Sequence, residues 1–141
     1  MPPTRLLAGF SPALRRPPTG EADRLVVALS DIEMGPGGPL DDFPRSDYLA
    51  ELLLGYGEPP FDDLEVDLVF NGDTFDLLKT TWHGTHPHYI TQEVATGKMG
   101  RIIAAHPAFF DALRLFLEPG PDRRRVWFVI GNHDIDLLFG V

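Results

Sequence analysis

Apolar residues fall into three short continuous runs, and each run ends in a polar turn. Leu25-Val26-Val27-Ala28-Leu29 leads to Ser30, Asp31 and Glu33; Leu68-Val69-Phe70-Asn71 leads to Gly72, Asp73 and Asp76; Val126-Trp127-Phe128-Val129-Ile130 leads to Gly131-Asn132-His133-Asp134. Runs this short and this apolar suit strands covered on both faces, as in a parallel sheet, and predict strands over 24–30, 66–71 and 126–130. Parallel strands gather their C-terminal turns on one rim, where α/β proteins place ligands.

Between the strands the period changes. Tyr48, Leu49, Leu52 and Leu53 recur at helical spacing and predict a helix over 46–54, capped by Ser46, ended by Gly55 and Gly57 and barred from resuming by Pro59-Pro60. Phe109, Phe110, Leu113, Phe116 and Leu117 form one apolar face of a helix from Pro107 to Leu117, which Pro119-Gly120 terminates. Gly97 and Gly100 weaken any helix around 94–105, and 81–89 reads as loop around Pro87. Residues 135–139 read as the start of a buried helix. The order β-α-β-(α)-α-β is that of an α/β unit with crossover connections aligning all three strands. Three strands leave at least one sheet face or edge unfinished, so residues 23–141 read as the front portion of a larger domain. The 22 residues before them are rich in proline and arginine and read as a disordered arm.

Composition narrows the chemistry. At 141 residues with 43% hydrophobic content, the chain is one soluble globular domain or part of one. A formal net charge of -9 argues against a non-specific nucleic-acid coat or an anionic membrane surface as partner. No stretch approaches the ~18 apolar residues of a spanning helix, and Leu6-Leu7-Ala8-Gly9-Phe10 is a shorter apolar centre than a secretory signal needs, so cytoplasm is the default expectation. The sequence contains no cysteine, which removes disulfides and thiolate metal sites. Oxygen and imidazole remain as metal donors, and they favour Mg, Mn, Fe or Zn.

Acids crowded on one rim repel one another unless a cation sits among them. Asp31 and Glu33, two apart at a strand end, can converge on one ion. Asn71-Gly72-Asp73 is also a hairpin signal, but Thr74-Phe75-Asp76-Leu77 supplies no alternating return strand. Gly131-Asn132-His133-Asp134 combines an amide oxygen for a metal, an imidazole for a substrate and a carboxylate to orient that imidazole; its bland alternative is a polar turn. Asp41-Asp42 and Asp62-Asp63 read as solvated, and His106 as a helix-end residue.

Taken in order, Asp31-x-Glu33, Gly72-Asp73 and Gly131-Asn132-His133-Asp134 resemble the calcineurin-like metallophosphoesterase superfamily. Gly72-Asp73-Thr74-Phe75-Asp76-Leu77 looks most like the bacterial branch that includes UDP-2,3-diacylglucosamine hydrolase. The resemblance spans roughly residues 24–138. It implies the N-terminal half of a metallophosphoesterase-type α/β sandwich, two divalent ions (Mn, Fe, Zn or Mg) and hydrolysis of a phosphorylated small-molecule or lipid-linked substrate. In that scheme Asp31 and Glu33 bind one ion, Asp73 bridges both and Asn132 binds the second. His133 meets the phosphoryl group or the leaving oxygen, Asp134 orients His133, and Asp76 supports the bridging loop. Two departures stand out: Glu33 replaces the family's usual histidine, and the later histidines of the pattern, ending in Gly-His-x-His, do not follow Asp134. His83, His86 and His88 precede the third strand and read as a surface loop. A non-catalytic binding module and a nuclease of the same superfamily are the alternative readings.

Overall fold

The computed structural model describes residues 23–39 and 41–139, so the arm expected over residues 1–22 lies outside the described residues. The elements run β1 (Arg24–Leu29), α1 (Ser46–Gly55), β2 (Glu65–Asn71), α2 (Gln92–Ala105), α3 (Pro107–Leu117) and β3 (Arg124–Val129), then a 3-10 helix (Ile135–Phe139). The result is mixed α/β, with a three-stranded parallel sheet in the order β1-β2-β3. Leu29 pairs with Phe70 and Asn71 with Val129, so all three strands finish at one edge.

Alternation along each strand assigns the two faces. Leu25, Val27 and Leu29 align with Val66, Leu68 and Phe70, and these with Arg124, Val126 and Phe128. This face is covered: Val66, Leu68 and Phe70 are buried with Leu49 and Leu53 of α1, Ile102 of α2, and Phe109 and Phe116 of α3. Phe70 stacks on Phe128 at 4.9 Å and meets Phe109 edge-on at 5.7 Å. At the strand starts the opposite face carries a charge ladder, with Arg125 Nε 2.7 Å from Asp67 Oδ1 and Arg24 paired to Glu65. Towards the strand ends it carries Val26, Trp127 and Val129, which are 60%, 55% and 47% exposed. Among the described residues, coverage of both faces is therefore corrected to coverage of one. Apolar residues stand on both faces, so the run itself does not reveal which face lacks a neighbour.

Helix α3 matches its sequence reading, and Pro107 occupies its first turn. Helix α2 is continuous through Gly97 and Gly100, against expectation, because other forces offset their low propensity. Thr91 accepts the Val94 N–H as a cap, at 3.3 Å. At Gly97 a Cβ would lie 1.9 Å from the Trp82 indole, so glycine is what lets that ring lie against the helix. Ser46 does not cap α1; Arg45 holds the cap position without a side-chain bond, and Ser46 is a buried first-turn residue. Residues 135–139 form a 3-10 turn with Ile135, Leu138 and Phe139 exposed rather than a buried helix. Its buried member is Asp136, which takes the Lys98 ammonium at 2.8 Å while that ammonium also donates to the Leu77 carbonyl at 3.1 Å. Among the described residues no helix is long and apolar enough to cross a membrane.

Candidate metal centre

The rim is built by backbone pairing that continues past the strands. The Asp31 N–H donates to Gly72 O (3.3 Å), Glu33 N–H to Asp73 O (2.8 Å) and Met34 N–H to Thr74 O (2.9 Å), while Asp76 N–H returns to Met34 O (2.8 Å). Following this path puts Asp31, Glu33 and Asp73 in left-handed backbone, with φ of 54°, 52° and 51°. Each such non-glycine position costs on the order of 1–3 kcal/mol, and three of them share one rim.

The turn after β3 locks onto the turn after β2. Gly72 N–H donates to Val129 O at 3.1 Å, and Asp73 Oδ1 accepts the His133 N–H at 2.8 Å. Gly131 sits so close that a Cβ there would lie 2.3 Å from Asp73 Oδ1 and 2.5 Å from the Asp73 backbone nitrogen. Asp134, buried, accepts Gly131 N–H (2.6 Å) on one oxygen and Thr74 N–H (2.9 Å) on the other. Its carboxylate thus clamps two turns together. The expectation that Asp134 orients the imidazole does not hold: His133 Nδ1 lies 3.1 Å from Asp76 Oδ1. Both Asp134 oxygens are engaged by amides, and Asp76 is the carboxylate facing the ring.

Three donors from three turns converge. Ligand atoms of Glu33, Asp76 and His133 all lie within 4.8 Å of one another, with His133 Nδ1 4.0 Å from Glu33 Oε2. Asp76 is fully buried, and its Oδ1 also accepts the Lys79 N–H at 3.0 Å. Two carboxylates facing one imidazole favour its protonated form. The hydrogen bond to Asp76 raises the His133 pKa most, burial opposes it, and the charges of Glu33, Asp76 and Asp73 add to the rise. The Lys79 ammonium stands at the same place, 3.3 Å from Glu33 Oε2 and 3.3 Å from Asp76 Oδ2, and pairs with Asp42 as well.

Of the residues singled out in the sequence, Glu33 and His133 belong to this group and Asp76 joins them directly. Asp31 and Asp73 lie on the same rim but outside the group: exposed Asp31 takes the Ser30 hydroxyl, and Asp73 is committed to the His133 amide. Asn132 is exposed on its turn. His83, His86 and His88 are exposed in the preceding loop. Lys79 was missed, although an acid three residues before a lysine, just past a strand end, is a signal that could have found it.

Asp41 corrects another expectation, being buried rather than solvated. Gly35, Gly37 and Phe43 donate their N–H groups to its carboxylate at 3.0, 2.8 and 2.9 Å, and His106 Nε2 lies 2.7 Å away. Burial pushes its pKa up, but the three amides and His106 outweigh that and hold it below the ordinary value. This knot anchors the loop between β1 and α1 to the junction of α2 and α3. No family model, curated protein or solved structure matches the chain.

Proposed function

We propose that the Glu33, Asp76 and His133 group holds a divalent cation and that the protein is a metal-dependent phosphoesterase of the calcineurin-like superfamily. The observation that carries the reading is the convergence of two carboxylates and one imidazole, drawn from the turns after all three strands, within 4.8 Å. The donor set is oxygen and nitrogen, suited to Mn, Mg, Fe or Zn. Neutral imidazole leaves the set doubly negative, which one divalent ion would balance. When bound, such an ion polarises a phosphoryl oxygen and lowers the pKa of water.

The chain's own residues divide the work around it. Glu33 and Asp76 supply oxygens and His133 supplies Nδ1, in place of the substrate-facing role that the sequence implied for His133. Asp73 holds the His133 backbone, and Asp134 clamps the turn that carries it. Asp31 and Asn132 lie outside the group, on the turns that carry Glu33 and His133, and the second ion rests on the sequence resemblance. That resemblance also implies a second layer against the open sheet face of Val26, Trp127 and Val129, completing a sandwich. Phosphorylated small molecules or lipid-linked phosphates remain the substrate class.

One observation favours a second reading. The Lys79 ammonium already offsets part of the charge of Glu33 and Asp76, so the cluster could serve a non-catalytic binding module. Hydrolysis of p-nitrophenyl phosphate and bis-p-nitrophenyl phosphate in MnCl2 and in EDTA separates the two. The phosphoesterase reading expects Mn-dependent turnover that Asp76→Asn lowers by at least a hundredfold. Mn uptake without turnover of any phosphoester supports the binding module, and no Mn uptake at all refutes the metal site.

A further inference from the structure

The Lys79 ammonium contacts two of the three residues assigned above to a cation, and it does so from a built position. Its backbone N–H donates to Asp76 Oδ1 at 3.0 Å, which fixes the start of the side chain beside the site. Its Nζ then lies 3.3 Å from Glu33 Oε2 and 3.3 Å from Asp76 Oδ2. A third carboxylate, Asp42 on the loop after β1, also pairs with it and lies further out, 52% exposed against 1% for Asp76. An ammonium is a compact point charge on a flexible four-carbon stem, able to change partners by rotating that stem. A divalent ion and this ammonium cannot both sit against Glu33 and Asp76 without strong repulsion.

We infer that Lys79 is a resident counter-ion of the rim, which a divalent cation displaces towards Asp42 and solvent. In the metal-free protein it holds Glu33 and Asp76 together, and so keeps the turns after β1 and β2 assembled around an otherwise repulsive pair. Metal binding is then an exchange of one cation for another, and Lys79 lowers the apparent metal affinity. The inference rests on the metal reading above, and it adds a residue that tunes loading without being a ligand.

Two measurements on the full chain test it. The first is MnCl2 titration calorimetry, with thermal unfolding in EDTA, for the parent, Lys79→Gln and Lys79→Arg. Lys79→Gln is expected to bind Mn about tenfold more tightly yet to unfold at a lower temperature in EDTA, whereas Lys79→Arg stays close to the parent. If the parent binds Mn and Lys79→Gln binds it no more tightly, the counter-ion inference fails while the metal site stands. If neither binds Mn, both fail. The second needs no variant: acetylation of lysines by an N-hydroxysuccinimide ester, mapped by mass spectrometry. Mn at the saturating concentration found by calorimetry should raise Lys79 labelling several-fold and leave Lys98, buried against Asp136, unchanged. Unchanged or reduced labelling of Lys79 overturns the inference.

Discussion

Replacing Asp134 with asparagine separates a structural role for this carboxylate from a chemical one. Its two oxygens accept Gly131 N–H at 2.6 Å and Thr74 N–H at 2.9 Å, and the side chain is fully buried. Hydrogen bonds to a charged group contribute about 1.5–3 kcal/mol each. Asparagine can satisfy one amide through its carbonyl oxygen, but its NH2 must then face the other amide donor. One charge-assisted bond is lost, the other becomes neutral, and a buried N–H is left unpaired. The expected cost is about 2–4 kcal/mol. For a chain of this size that corresponds to a fall in Tm on the order of 5–15 °C. Urea unfolding of Asp134→Asn beside the parent, in EDTA, reads the stability directly. Because the clamp positions the His133 turn, Mn affinity should drop in parallel. A variant that keeps parental stability within ~0.5 kcal/mol, and parental Mn affinity, yet loses all hydrolysis would refute the clamp and restore a chemical role to Asp134.

Gly131→Ala should cost about 1–3 kcal/mol in urea unfolding, because its Cβ would meet the Asp73 backbone nitrogen at 2.5 Å and only movement of the turns can relieve that; parental stability would contradict the close approach. Asp41, with its pKa held down, contributes stability that is complete above its unfolded value near 3.8 and is lost as pH falls through the lower folded value. Urea midpoints between pH 6 and pH 3 should therefore fall less steeply in Asp41→Asn than in the parent. His133 has the opposite sign: its raised pKa gives the metal-free protein stability that is complete below the unfolded value near 6.5 and is lost as pH rises through the folded value. The same proton competes with a metal for Nδ1, so Mn affinity should rise by up to about tenfold per pH unit below the folded pKa and level off above it. Calorimetry across pH checks this, and the His133-linked part of the slope should vanish in His133→Ala.

The strands and helix α3 were legible because their signals are local. An apolar run bounded by glycine, asparagine or acid, and a five-residue apolar face beginning at proline, carry their own punctuation. Helix α2 was not legible, because Gly97 is explained only by the Trp82 ring that lies against it, fifteen residues earlier in the chain. Asp41 and Asp42 look alike in sequence; one is buried among three amides and the other faces Lys79, and only the path of the loop separates them. At the rim, the sequence located the three turns but not the roles within them. Asp73 and Asp134 read as chemical groups in the sequence, but Asp73 accepts the His133 amide and Asp134 accepts one amide of its own turn and one of the turn after β2. Asp76, a supporting residue in the sequence reading, is the carboxylate facing His133. Spacing along a turn says which acids are near the strand ends; which carboxylate points at which donor depends on left-handed backbone at Asp31, Glu33 and Asp73, where β-strand alternation no longer applies.

Anomalous diffraction from crystals of the protein soaked in MnCl2 tests the central claim most directly. The account predicts a manganese peak about 2.0–2.3 Å from carboxylate oxygens of Glu33 and Asp76 and from His133 Nδ1, with the Lys79 ammonium moved away from both acids. A manganese-saturated crystal in which Lys79 still bridges Glu33 and Asp76, with no anomalous peak among these three residues, would contradict it.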